Sequence, residues 1–228
     1  MLKKWTLGII LLTASSLSQA TLITNDITGS DMDGMTVKVC FDVDANNDNK
    51  NDCKSKKWDT ISLNDNLGGA IRNNWFSLTL AGNSFPDYDP VEQFQHGFWE
   101  LENLNSNFMI TSFVINAKNG DVWFDTVYGD IDLGIVDVQT PGTGAGWPFQ
   151  SNNNNATASF SKKHSANHND LYGKMRVDFA PNTGLAAQEK MMFTVDTDKV
   201  QVPESSTIFT FALGLIALTS LRKKSSGK

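Results

Sequence analysis

The chain has 228 residues, 40% hydrophobic and 19% charged, with a formal net charge of −6. All 25 acidic residues lie between Asp26 and Glu204, a segment that holds only 13 of the 19 basic ones. A body this acidic excludes recruitment of DNA, RNA or a polyanionic polysaccharide by charge, and suits a soluble extracellular protein whose carboxylates meet cations.

Residues 1–20 read as a secretory signal peptide. Lys3 and Lys4 form the positive n-region, 7–14 a short apolar h-region, and Ser18-Gln19-Ala20 the small residues of a cleavage site. The apolar run is too short to cross a bilayer core of about 30 Å. The body expected to remain, 21–201, is long enough for one domain with a hydrophobic core.

The body reads as all-β. Met35-Thr36-Val37-Lys38-Val39-Cys40-Phe41-Asp42-Val43 alternates apolar and mostly polar residues, the period of a half-buried strand. Further strands are expected over 75–80, 108–117, 122–128, 131–138, 171–179 and 191–195, which are rich in β-branched and aromatic residues. Asn119-Gly120-Asp121 predicts a tight turn, because Asn and Gly tolerate positive φ. The glycine-rich stretch 140–146 and the polar stretch 151–170 read as loops, the second with a short strand near 156–160. Short strands separated by turn signals predict a single antiparallel β-sandwich or jelly-roll-like domain.

Cys40 and Cys53 are the only cysteines. Behind a signal peptide an even pair is most simply one disulfide. Between them, counting Asp44 as position 1, oxygen-bearing side chains fall at positions 1 (Asp44), 3 (Asn46), 5 (Asp48) and 9 (Asp52). Lys50 at position 7 offers a carbonyl, and such a ring of hard oxygens suits calcium. The segment resembles the calcium loops of dockerin and thrombospondin type 3 repeats. It departs from them with Asn49 in place of the turn glycine and Ser55 in place of the bidentate Glu. A plain hairpin tip stapled by the disulfide is the alternative.

Other chemistry-bearing residues form no recognised catalytic set. His164 and His168, with Asp170 as a third ligand, have the spacing of a helical metal pair, but their surroundings read as a solvated loop. His96 reads as structural. Asp125, Asp130, Asp132 and Asp137 read as surface carboxylates, since strand spacing cannot establish the separation a glycosidase pair needs. No nucleophile elbow, phosphate loop or dinucleotide fingerprint is present, and no enzyme activity is expected. Of Trp58, Trp75, Trp99, Trp123 and Trp147, most belong in a core; Trp147, behind the glycine-rich stretch, is the candidate for stacking on a sugar.

The C-terminal segment 202–228 has three parts in order. Val202-Pro203-Glu204-Ser205-Ser206-Thr207 precedes the apolar run 208–221, and Arg222, Lys223 and Lys224 follow it. As a helix the run spans about 21 Å, and its basic end belongs in the cytoplasm by the positive-inside rule. This order resembles the PEP-CTERM sorting signal of Gram-negative envelope proteins. Pro203 and Glu204 match the motif, and Ser205 stands where a second Pro is expected. The body adds to the likeness through Leu22-Ile23-Thr24-Asn25-Asp26-Ile27-Thr28-Gly29 and Val122-Trp123-Phe124-Asp125-Thr126-Val127-Tyr128-Gly129. Thr140-Pro141-Gly142 with Gly146-Trp147, Leu171-Tyr172-Gly173 and Phe193-Thr194-Val195-Asp196-Thr197-Asp198 extend it.

The resemblance implies export, an inner-membrane intermediate held through 208–221, and processing by an exosortase-type enzyme. Release to the cell surface or an exopolysaccharide matrix would follow, where the protein acts as a non-enzymatic structural or adhesive component. A calcium-dependent carbohydrate-binding module and a plain tail-anchored envelope protein are the alternatives. Exopolysaccharide is the expected partner, and nucleic acid is not.

Overall fold

Period-two alternation carries through into strands. The computed structural model describes residues 22–24, 27–42, 52–63, 66–84, 97–127, 146–165 and 168–201. The expected signal peptide 1–20, the expected sorting segment 202–228 and the strand expected over 131–138 lie outside the described residues. One compact unit is Ile23–Val200; the other, Met1–Leu22 with Gln201–Lys228, falls almost wholly outside them.

The strands are β1 (Leu22–Thr24), β2 (Thr36–Phe41), β3 (Cys53–Lys57), β4 (Asp59–Leu63), β5 (Asn66–Arg72), β6 (Phe76–Ala81) and β7 (Trp99–Asn103). After them come β8 (Ile110–Asn116), β9 (Val122–Asp125), β10 (Gln150–Ser151), β11 (Ala156–Ser165), β12 (His168–Phe179), β13 (Lys190–Thr194) and β14 (Asp196–Gln201). Among the described residues there is no α-helix, only 3-10 turns at Gly29–Met32 and Ala117–Gly120. None is long and apolar enough to cross a membrane.

The strands form two antiparallel sheets. In the first, β12 is central. Its partner β11 runs beside it from Ala156↔Phe179 to Ser165↔His168. Its other edge takes β8 and β9 end to end, with Lys174 opposite Asn116 and Tyr172 opposite Phe124. These partners are two positions apart on β12, so the intervening turn Ala117–Gly120 absorbs the excess of chain. The positive φ expected at Asn119-Gly120 falls instead on Asp121, at 55°. Beyond β8 lie β2 and then β3; beyond β9 lie β14 and β1. The second sheet has the order β10-β13-β7-β6-β5-β4.

Both sheets contribute to one core. Val37, Val39 and Phe41 of β2 and Phe113 and Ile115 of β8 share it with Phe76, Leu78 and Leu80 of β6, Trp99 of β7 and Phe193 of β13. The rings of Phe113 and Phe193 meet across it at 5.5 Å. Each such side chain, fully buried, contributes about 1.5–3 kcal/mol before the entropy of ordering is set against it.

Three local features explain where sequence patterning misleads. The stretch 151–170 is not a loop: it holds part of β10, all of β11 and the start of β12. Ala156, Ala158 and Phe160 pack against the core, while Thr157, Ser159 and Ser161 are exposed, so alternation is present but written in small residues. β5, over a stretch for which no strand is expected, contains Gly68 and Gly69. A Cβ on Gly69 would lie 2.1 Å from Trp58 Nε1, and that indole donates a buried 2.8 Å hydrogen bond to Gly29 O. β3 is an edge strand with exposed Lys56 and Lys57, charges that discourage pairing with another chain.

Candidate functional site

Cys40 and Cys53 form the expected disulfide and are cross-strand partners on β2 and β3. Of the calcium-like loop, Asp44, Asn46, Asp48 and Lys50 lie outside the described residues. Asp52 is half-buried, and its carbonyl accepts a 2.8 Å hydrogen bond from Phe41 N–H. Val202, Pro203, Glu204, Ser205, Ser206, Thr207, Arg222, Lys223 and Lys224 also lie outside the described residues, as do His96, Asp130, Asp132 and Asp137. His164 and His168 are not on a loop or a helix; they fall on β11 and β12, either side of the hairpin. His164 stands edge-on to Trp123, with centroids 4.5 Å apart.

Asp125 is not a surface carboxylate. It is fully buried at the end of β9, directly opposite Asp196 of β14. Asp198, two residues further along β14, lies on the same face. Asp196 and Asp198 are 1% and 0% exposed, and one carboxylate oxygen from each of the three lies within 4.8 Å of the others. Trp123 and Leu171 form a small apolar cluster apart from the main core, and the register sets them on this same face.

The surroundings hold the carboxylates in place. Val127 N–H donates to Asp125 Oδ1 at 3.2 Å, and Ser84 Oγ donates to Asp196 Oδ1 at 3.3 Å. Thr197 Oγ1 donates to Ser84 Oγ at 2.6 Å. Gly146 packs so closely that a Cβ there would sit 2.3 Å from Asp125 Oδ1. Three buried carboxylates this close together form an arrangement that a bound cation would suit. An oxygen-only donor set suits a hard cation. Two oxygens on one calcium at about 2.4 Å are at most about 4.8 Å apart, and the three oxygens here lie within that limit.

The peptide after Gly146 connects this cluster to a groove. Trp147 O accepts a 3.1 Å hydrogen bond from Asp196 N–H, while the half-buried Trp147 lines a groove of about 400 Å³ with Phe98, Gln150, Asn152, Met192 and Thr194. The other tryptophans among the described residues serve packing. Trp58, Trp99 and Trp123 are buried. Trp75 is half-buried between Phe41 and Phe108, with Lys54 Nζ 4.7 Å from its ring centroid.

Sequence patterning selects Asp125 and Trp147 but not their neighbours. Asp196 and Asp198 carry a usable signal, since Asp-Thr-Asp places two carboxylates on one face of any strand. Nothing local pairs them with Asp125, which is distant in sequence. No protein-family profile, curated protein or solved structure matches the chain.

Proposed function

We propose that this chain is an exported, non-enzymatic component of the cell surface or extracellular matrix, with a jelly-roll-like β-sandwich body delivered by a PEP-CTERM-type signal. The observation that carries the reading is the order of parts in 202–228: Val202-Pro203-Glu204-Ser205-Ser206-Thr207, the apolar run 208–221, then Arg222, Lys223 and Lys224. In this reading an exosortase-type enzyme reads Pro203 and Glu204 while 208–221 presents them at the membrane. The body supports it in two ways. It is all-β around one core shared by two sheets, and its two cysteines are paired, as an oxidising compartment requires. The test is to express the full chain and a variant lacking 202–228 in an exosortase-bearing host and assay surface exposure. Delivery that survives the deletion refutes the sorting role. A full chain retained intact in the inner membrane favours a plain tail anchor instead.

A second reading is a body organised by calcium, and the buried Asp125, Asp196 and Asp198 favour it. The cation would be held there by carboxylates from β9 and β14, independently of Asp44, Asn46, Asp48, Lys50 and Asp52. Thermal melting in calcium and in chelator tests it. A calcium-dependent rise abolished by Asp196→Asn with Asp198→Asn supports the buried cluster. A rise abolished only by Asp48→Ala assigns calcium to the loop, and no rise refutes both.

A further inference from the structure

We infer that the groove beside Trp147 binds a neutral sugar unit of a polysaccharide. The inference goes beyond the proposed function and depends on neither the sorting segment nor the cation.

Strand register places the groove on the face of the second sheet turned away from the core. Phe193 pairs with Trp99 and points inward, both rings being buried and stacked 5.9 Å apart. Met192 and Thr194, its neighbours on β13, therefore point outward, and Gln150 shares their face as the partner of Thr194. Met192 is 39% exposed, the one large hydrophobic side chain among the described residues left so. Thr194 is only 6% exposed although it faces outward, because it lies within the groove. Its Oγ1 is buried and has no hydrogen-bond partner.

The rest of the lining fits the same ligand. Trp147, Phe98 and Met192 offer apolar surface to the C–H face of a sugar ring. Asn152 Oδ1 accepts a 3.0 Å bond from Met192 N–H, which orients its amide NH2 as a donor at the rim. Gln150 is exposed and adds a second amide. None of the described lining residues is charged, which fits a neutral rather than an acidic sugar. The volume lies at the small end of the range for ligand sites, about 300–1,000 Å³, and so suits a mono- or disaccharide unit. A peptide adding to the sheet edge would find only two residues of β10 to pair with.

The test is affinity electrophoresis of the oxidised full chain in mild non-ionic detergent. The gels carry neutral glucans, mannans and galactans, with alginate as the acidic control, each run in calcium and in chelator. The expected result is retardation by at least one neutral polysaccharide and none by alginate, equal in calcium and in chelator. Trp147→Ala abolishes it. Gln150→Ala, which removes an exposed amide, weakens it roughly tenfold, the loss of one hydrogen bond, while leaving the melting temperature unchanged. Should Trp147→Ala fail to fold, Gln150→Ala replaces it. No retardation by any neutral polysaccharide overturns the inference. So does retardation that persists in every folded variant, or retardation by alginate alone. Retardation seen only in calcium overturns the independence from the cation.

Discussion

Replacing Gly69 by alanine is expected to destabilise the body by about 4 kcal/mol, because the added methyl group has nowhere to go. It would lie 2.1 Å from Trp58 Nε1, 2.4 Å from Trp58 Cε2 and 2.5 Å from Gly29 O. One obstacle is backbone, and the other is a ring anchored by its 2.8 Å bond to that same backbone oxygen. Trp58 also packs on Trp99, with centroids 5.4 Å apart, so the ring cannot withdraw without disturbing the core. Overpacking costs about 1–3 kcal/mol, and displacing the indole leaves buried polar groups unsatisfied at about 1–3 kcal/mol more. Against a total stability of about 5–15 kcal/mol this is a large fraction. Urea unfolding followed by tryptophan fluorescence reads it. At about 2 kcal/mol per molar urea, the midpoint should fall by about 2 M with little change in slope. A fall below about 0.5 M would refute the close packing of Gly29, Gly69 and Trp58.

Four further outcomes are expected. Reduction of the Cys40–Cys53 bond, whose partners are 13 apart in sequence, should cost about 3 kcal/mol, seen as a lower urea midpoint in reductant. Thr194→Val in the free protein should be neutral or stabilising by up to about 1–2 kcal/mol, since it removes an unpaired hydroxyl; a clear loss in thermal melting would show the hydroxyl to be structural. If calcium occupies the Asp125, Asp196 and Asp198 cluster, a hundredfold excess over the dissociation constant stabilises by about 2.7 kcal/mol, a melting rise of about 5–10 °C. Lys190 is raised above the ordinary lysine value by its 2.9 Å hydrogen bond to Glu100. What that pair contributes is present below the usual lysine range and lost as pH rises through the raised value. Glu100→Gln should flatten this alkaline decline in a melting series against pH, and an unchanged decline would show the pair to be inert.

The sequence by itself determined the character of single segments. β2 and β12 are legible because alternation belongs to one strand and needs no partner. The disulfide is legible because two cysteines admit one pairing. Tertiary structure alone decided whatever depends on register between distant strands. Gly69 is required in β5 because Trp58, from outside that strand, occupies the space a side chain would take. Asp125 is an ordinary acidic residue until β14 lies beside β9 and sets Asp196 opposite it. Thr194 is an unremarked strand residue until Trp147 and Phe98 line one groove with it. The physical reason is common to all three. Periodicity is written along the chain, but burial, charge repulsion and the shape of a groove arise from pairs of segments whose alignment is fixed only when both sheets close on the shared core.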